Sequence, residues 1–182
     1  DRGLVGSEMC IRDRNNAGSS GSLSGHVRVY QYSNSTWTQL GSDIDGEAGG
    51  DRYGVAVSLS DDGSIMAAGA MYNSDNGNYA GHVRVWQRDE SAAIGWTQLG
   101  DDIDGEAASD ESGWSVSLND DGSIVAIGAY KNDGSDSDSG HVRVYQYSNS
   151  AWTQLGADID GENRTDYSGY SVSLSSDGSI VA

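Results

Sequence analysis

The chain has 182 residues, of which 28 are Asp or Glu and 10 are Lys or Arg, so its formal net charge is −18. Such a surface repels nucleic acid and anionic membranes and attracts cations or basic partners. Glycine is abundant at 26 residues, and proline and phenylalanine are absent. No apolar run approaches the roughly 20 residues that a membrane helix needs. The composition is typical of a soluble, extracellular-type, all-β protein.

The first 14 residues do not share the pattern of the rest of the chain. The run from Leu4 to Arg14 resembles the in-frame translation of a transposon-type sequencing-library adapter, and the alternative is a genuine irregular N-terminal segment. We interpret residues 1–14 as a non-native, adapter-derived segment and residues 15–182 as the protein domain. The only cysteine, Cys10, then carries no information about the redox compartment.

The remaining residues repeat one unit. The motif Gly-His-Val-Arg-Val begins at Gly25, Gly81 and Gly140, which divides the chain into copies at 25–80, 81–139 and 140–182. A unit of this size cannot bury its own apolar faces, whereas stacked copies can bury each other's. Because the last copy stops inside the unit, we expect the chain to be a fragment.

Four short strands are predicted for each unit. The first, Gly113–Leu118, alternates apolar residues with serines and should bury one face. The second, Ser123–Ala129, is almost continuously apolar, which predicts burial on both faces. A tight Asp-Gly-Ser hairpin joins these two strands. The third strand is Gly140–Tyr147, and the fourth is the Trp-Thr-Gln-Leu-Gly stretch. No segment has a sustained helical period, so we expect no substantial helix.

The order of these motifs resembles the FG-GAP repeat. The resemblance rests on three motifs in this order: Gly-x-Ser-Val-Ser-Leu, then Asp-Gly-Ser-Ile-Val-Ala-Ile-Gly-Ala, then, after a polar tail, Gly-His-Val-Arg-Val-Tyr. FG-GAP repeats are the β-propeller blades of integrin α-chain head domains and of many bacterial surface proteins. The divergent bacterial branch fits better, since the family's Phe-Gly is replaced by Tyr53-Gly54 and Ser112-Gly113. The resemblance implies an all-β, partial β-propeller of four-stranded antiparallel blades, with about three blades present and the ring incomplete.

Integrin-type blades carry an Asp-x-Asp-x-Asp-Gly calcium loop between their first two strands. The corresponding turn here, Ser60–Ser64, is too short and too poor in acids to supply six or more oxygen ligands, so we expect a plain hairpin.

A second acidic stretch follows the fourth strand. Its carboxylates are spaced like the first ligands of an EF-hand loop, but the glycine and the final Glu of that loop are missing. The functional interpretation is a weak Ca2+ site. The alternative is a solvated crossover whose Asp side chains cap turns. The candidate ligands are Asp43, Asp45, Glu47, Asp51, Asp102, Asp104, Glu106, Asp110, Asp158, Asp160, Glu162 and Asp166.

Catalytic signatures are lacking in the sequence. There is no nucleophile elbow, phosphate loop or dinucleotide fingerprint, and the carboxylates come in threes rather than singly. The histidines His26, His82 and His141 occupy one position in successive copies, so we expect structural roles rather than three imidazoles on one metal ion. We therefore predict that the chain is not an enzyme and needs no cofactor other than a possible calcium ion.

The functional expectation is a binding or adhesion module of a secreted or cell-surface protein. Successive strands of a blade are antiparallel, so the acidic crossovers should share a face with the variable tails 15–24, 71–80 and 130–139. Loops that vary on a constant scaffold are usual recognition sites, here for a protein or a glycan. We expect no nucleic-acid partner and no membrane insertion, and further blades of the same propeller as neighbours. The alternatives are a fragment of a propeller enzyme acting on polysaccharide, with catalytic residues elsewhere, and a structural spacer.

Overall fold

The computed structural model describes the backbone of residues 8–12 and all of residues 20–182. Within these ranges there are thirteen strands and no helix, as the sequence predicts. The described residues accordingly contain no helix that could span a membrane. The strands are β1 (Glu8–Arg12), β2 (His26–Ser33), β3 (Thr36–Asp45), β4 (Val57–Leu59), β5 (Ile65–Ala70), β6 (His82–Arg88), β7 (Trp96–Gln98), β8 (Ile103–Asp104), β9 (Ser115–Leu118), β10 (Ile124–Ala129), β11 (His141–Ser148), β12 (Ala151–Gln154) and β13 (Ile159–Asp160).

The strands form three antiparallel sheets. The first has the order β1-β2-β3, the second β4-β5-β6-β7 with β8 also paired to β6, and the third β9-β10-β11-β12 with β13 also paired to β11. Each sheet follows the predicted strand order of one unit, which confirms the blade architecture. Residues 8–12 pair with β2 in the place that β5 takes beside β6: Glu8 lies opposite Gln31, as Ile65 lies opposite Gln87.

The fourth strand of each unit extends further than the sequence indicates. In the first sheet it continues to Asp45, and in the other two it resumes after a break as β8 and β13. The final aspartate of this strand, at position 45, 104 or 160, lies opposite the histidine that begins the third strand. The crossover loops are therefore residues 46–52, 105–111 and 161–167. The first two acids of each acidic stretch precede the loop, and the second of them ends the extended fourth strand, next to the histidine of the third strand.

The apolar second strand is covered on both faces, as predicted. Met66, Ala68 and Ala70 of β5 pack into a core shared with the first sheet, and Ile65 and Ala67 into a core shared with the third. Burying the side chain of Met66 or Ile65 contributes roughly 1.5–3 kcal/mol. The contacts between sheets thus stabilise each unit through its neighbours.

Tryptophans connect each sheet to the one before it. Trp96 is buried, and its Nε1 donates a hydrogen bond to the Leu40 carbonyl at 3.0 Å. Trp152 Nε1 donates to the Leu99 carbonyl at 2.7 Å in the same way. Trp37, the counterpart in the first sheet, is 41 % exposed. Trp96 and Trp152 are therefore blade-packing residues, as expected from their place in the repeat, whereas Trp37 is not.

The described parts of the tails, residues 20–24, 71–80 and 130–139, lie with the crossover loops on one side of the array, which we call the loop face. Backbone amides of one crossover donate to the tail before it: Ser109 to Asn78 at 2.9 Å, Glu111 to Tyr79 at 3.1 Å, and Ser112 to Ala80 at 2.9 Å. Gly81 follows that tail with a φ of +77°, and a Cβ there would collide with a backbone carbonyl of the crossover. This close approach requires glycine.

Candidate functional site

A cavity of about 440 Å³ opens on the loop face between the first and second sheets. Its walls are the first crossover loop and the tail of the second sheet, and its size falls within the usual range of ligand sites. The walls carry carboxylates, an amide, a guanidinium and two phenols. The lining residues that bear these groups are Glu47, Asp51, Arg52, Tyr72, Asn73, Asp75 and Tyr79.

One wall of the cavity is aromatic. The rings of Tyr72 and Tyr79 lie 4.8 Å apart at an angle of 42°, and the Arg52 guanidinium lies 4.8 Å from the centre of the Tyr72 ring. Tyr79 is 46 % exposed. A cation over a tyrosine face holds that ring in place without burying it. The wall is therefore a fixed platform with an accessible ring.

The equivalent boundary between the second and third sheets has different chemistry. Lys131 stands where Tyr72 does, and Glu111 where Arg52 does, and their side chains form an ion pair of 2.6 Å. Tyr130 also donates its hydroxyl hydrogen to Glu111 at 3.0 Å. The hydrogen bond that Lys131 Nζ donates to the Glu111 carboxylate raises the pKa of Lys131. The scaffold repeats at the two boundaries, but the aromatic platform does not.

Beside the cavity, side chains from two units meet in a group that we call the inter-blade cluster: Glu47, His82 and Asp102. One ligand atom from each lies within 4.8 Å of the others. His82 is fully buried, and its Nδ1 is 3.5 Å from an Asp102 carboxylate oxygen. Burial lowers the pKa of His82, which favours the neutral imidazole.

The cluster recurs at the next boundary as Glu106, His141 and Asp158. There Arg143 fills the space between the carboxylates: its Nε and Nη2 each donate to Asp158 at 2.9 Å, and it also contacts Glu106. We call this group the arginine-filled cluster. In both groups the glutamate comes from one unit, and the imidazole and the aspartate come from the next.

The sequence grouped the carboxylates of each copy into one site, whereas the structure brings together carboxylates of two adjacent copies. In every unit the first carboxylate accepts a hydrogen bond from a glutamine, at distances of 2.6 to 3.0 Å. The last one accepts from a backbone amide of its own loop, as Ala48 donates to Asp51 at 2.9 Å. Such capping is the structural role considered for the loop. Whether calcium binds any of the twelve residues stays a prediction.

The three histidines do not converge, as expected from their repeated position. The pairing of His82 and His141 with carboxylates was missed, since it depends on the register of the short fourth-strand extensions and on contacts between units. The signal available in the sequence was the Ile-Asp pair that recurs in every copy. Treated as a strand rather than a loop, it would have indicated an Asp beside each His.

Fold and loop geometry together define a partial β-propeller with its variable chemistry on one face. Comparison with known proteins agrees: the FG-GAP repeat family matches residues 103–145. The solved structure of the Pseudomonas aeruginosa periplasmic gluconolactonase PpgL is similar, with a TM-score of 0.52 and 13% sequence identity over 94% of this chain and 45% of that chain. No curated protein matches the sequence. The chain therefore has a β-propeller-like fold and contains a segment similar to an FG-GAP repeat, and it spans less than half of the gluconolactonase it resembles.

The gluconolactonase comparison corrects one prediction. The expectation that the chain is not an enzyme was wrong, because a protein of the same fold is an enzyme. The lack of a contiguous catalytic motif carries little weight in this architecture, since sites on such scaffolds are assembled from loops of several units. At this identity the two proteins share the fold alone. FG-GAP repeats and a periplasmic propeller are both compatible with an extracellular or periplasmic location.

Proposed function

We propose that the protein is a recognition module of a secreted or cell-surface protein that binds a glycan in the cavity between the first and second sheets. The observation that carries the proposal is the aromatic platform of Tyr72 and Tyr79 in a polar cavity on the variable loop face. Ligand sites combine apolar walls with a few fixed polar groups, as this cavity does.

The chemistry of the walls indicates which glycans fit. A tyrosine ring offers a flat apolar face and a polar hydroxyl, which suits the CH face and the hydroxyl groups of a sugar ring. The carboxylates of Glu47, Asp51 and Asp75 can accept hydrogen bonds from sugar hydroxyls, and Asn73 can donate or accept. Because these acids outnumber the one guanidinium of Arg52, neutral sugars and amino sugars are favoured over acidic ones.

The test is a glycan-binding screen followed by calorimetry on the purified protein. We expect Tyr72→Ala and Tyr79→Ala each to weaken binding about tenfold, the usual effect of losing a central aromatic contact. Tyr32→Ala is the matched control, since Tyr32 is also 46 % exposed and packs on an aromatic neighbour, Trp37, outside the cavity. Equal losses in all three variants, or no loss in the first two, would contradict the proposal.

Weak calcium binding by the crossover-loop carboxylates is a further part of the proposal. Supporting it are the acidic charge of the loop face and the exposed carboxylate of Glu162. A cation that binds only the native state raises the unfolding midpoint by mass action. Thermal unfolding in millimolar CaCl2, against NaCl of equal ionic strength, measures the effect. An unchanged midpoint rejects calcium binding and leaves the glycan proposal standing.

The gluconolactonase comparison favours a second candidate function, an enzyme that acts on a sugar derivative at the same cavity. A pH-indicator assay of lactone hydrolysis, with polysaccharide hydrolysis measured in parallel, tests this candidate. Turnover that Tyr72→Ala reduces and Tyr32→Ala leaves unchanged would favour the enzyme over the recognition module. Glycan binding without turnover favours the module. Fractionation of the source cells tests the proposed location.

A further inference from the structure

The inter-blade cluster contains an imidazole, that of His82, which neither glycan recognition nor weak calcium binding uses. We propose that Glu47, His82 and Asp102 form a binding site for a divalent transition-metal ion such as Zn2+, at the boundary between the first and second sheets. Glu47 also lines the glycan cavity, but His82 and Asp102 do not, so variants of Asp102 let the two proposals fail separately.

The imidazole of His82 is buried and makes no hydrogen bond in the part of the chain that the structure describes. His82 has no exposed surface, and neither Nδ1 nor Nε2 has a hydrogen-bond partner among the described residues. Leaving a buried polar group unpaired costs about 1–3 kcal/mol, so such groups need an explanation. The Nδ1 atom faces the Asp102 carboxylate at 3.5 Å without forming a hydrogen bond. A metal ion between the two would satisfy both groups.

The surroundings of the cluster are acidic. Around His82 and Glu47 lie the carboxylates of Asp51, Asp75 and Asp102, which act electrostatically on both residues. The guanidinium of Arg84 is the one strong positive charge among the groups that act on both residues. The site therefore has excess negative charge, which a divalent cation would neutralise.

The position of Arg84 differs from that of its counterpart Arg143. Arg84 lies over the Tyr53 ring, 4.2 Å from its centre, and donates to the Asp45 carbonyl at 2.7 Å. Its Nη1 is 3.5 Å from Glu47, and it makes no contact with Asp102. The residue equivalent to Tyr53 at the next boundary is Ser112, which has no ring for an arginine to pack on.

Without a ring to pack on, Arg143 pairs with Asp158 instead and occupies the equivalent site with a guanidinium. Because the Tyr53 ring holds Arg84, the Asp102 carboxylate has no arginine partner within residues 20–182 and can bind a metal ion. Among the described residues, one boundary therefore has an aspartate with no arginine partner, and the other has both of its carboxylates paired with Arg143. This difference gives the proposal an internal control.

The donor set fits zinc better than calcium. Calcium takes six to eight oxygen ligands, whereas imidazole nitrogen suits zinc, copper, nickel and iron. Zinc sites with three protein ligands and a water are common, and bonds of about 2.0–2.2 Å at tetrahedral angles place ligand atoms roughly 3.4 Å apart. Glu47 and Asp102 have side chains that are 42% and 25% exposed, so both can move the short distance toward a fixed His82.

The experiment is calorimetric titration of the chelator-treated protein with ZnCl2, with CoCl2 absorption spectra as a second readout. We expect one saturable site at this boundary, and Asp102→Asn to weaken it at least tenfold, as loss of a charged ligand should. Asp158→Asn, the matched change in the arginine-filled cluster, should leave the affinity within about twofold. Tyr53→Ser should also weaken zinc binding, since Arg84 is then free to pair with Asp102.

Several results would overturn the proposal. These are the absence of saturable zinc binding, an unchanged affinity in Asp102→Asn, or an equal loss in Asp158→Asn. Displacement of zinc by millimolar calcium would also overturn it, because the site would then be an oxygen-only cation site. Circular dichroism of each variant confirms that it is folded, and glycan binding by Asp102→Asn should match that of the unmodified protein. His82→Gln, in which the buried imidazole is lost, should abolish the cobalt spectrum in protein that remains folded.

Discussion

Replacing Trp96 tests the contact between sheets on which both proposed sites depend. Its indole is 2 % exposed and packs in the core that the first two sheets share, together with Val27, Val29 and Met66. Trp96→Ala removes this contact and leaves a cavity, which costs about 3–5 kcal/mol at buried sites. Trp96→Phe keeps most of the volume but leaves the Leu40 carbonyl without its donor, at a cost of about 1–2 kcal/mol.

The control for this prediction is Trp37→Ala. Trp37 occupies the same position in the repeat but is 41 % exposed and contacts the Tyr32 ring at 5.1 Å, so its loss should cost only about 1 kcal/mol. The free energy of unfolding is measured by urea titration followed by far-UV circular dichroism. If Trp96→Ala and Trp37→Ala destabilise the protein equally, face-to-face packing of the sheets is not what stabilises it.

Three further predictions concern the loop face and a turn. Lys131→Met should destabilise the protein by about 1–3 kcal/mol, because it removes the cation that pairs with the buried Glu111 carboxylate and leaves it, among the described residues, only the Tyr130 hydrogen bond. Adding Glu111→Gln should recover most of the loss in a double-mutant cycle. Gly81→Ala should lower the free energy of unfolding several-fold more than Gly156→Ala. Both glycines have a φ above +70°, but only at Gly81 would a Cβ collide with a backbone carbonyl. Chemical denaturation of the two variants therefore separates the cost of the collision from the cost of the backbone conformation. The pKa of Asp177 should be about 2 by NMR titration, since backbone and serine donors hold its charged form. Its stabilisation of the turn is then present above pH 3.8 and lost as the pH falls toward 2, and replacing the serine donors with alanine should raise the pKa.

Much of the fold could be predicted because it depends on local patterns. The continuous apolar run at Ile65–Ala70 indicates a strand covered on both sides, and the structure places it between two cores. The recurring motifs fix the number of units and the order of their strands. The end of the fourth strand was harder, since the acidic residues after Trp96 have the composition of a loop, and only pairing with β6 makes them a strand.

The sites were less predictable, because they combine residues from different units. The spacing of the acids within one copy suggested a calcium loop, whereas the structure brings Glu47 of one copy to Asp102 of the next. No pattern within a single copy records this contact. The position of Arg84 depends on the ring of Tyr53 in the neighbouring unit. In the sequence, Tyr53 is recognisable only as the residue that replaces the Phe of the Phe-Gly motif. Such differences are visible only once the units are stacked.

Because each cluster is shared between adjacent units, its number follows the number of junctions rather than the number of copies. Duplicating one unit would add a junction, and with it a new group of one imidazole and two carboxylates. A single aromatic-to-serine change at the position of Tyr53 would then decide whether the new group is neutralised by its own arginine or remains open to a cation. Growth of the array by duplication therefore supplies new sites together with a simple means of closing them.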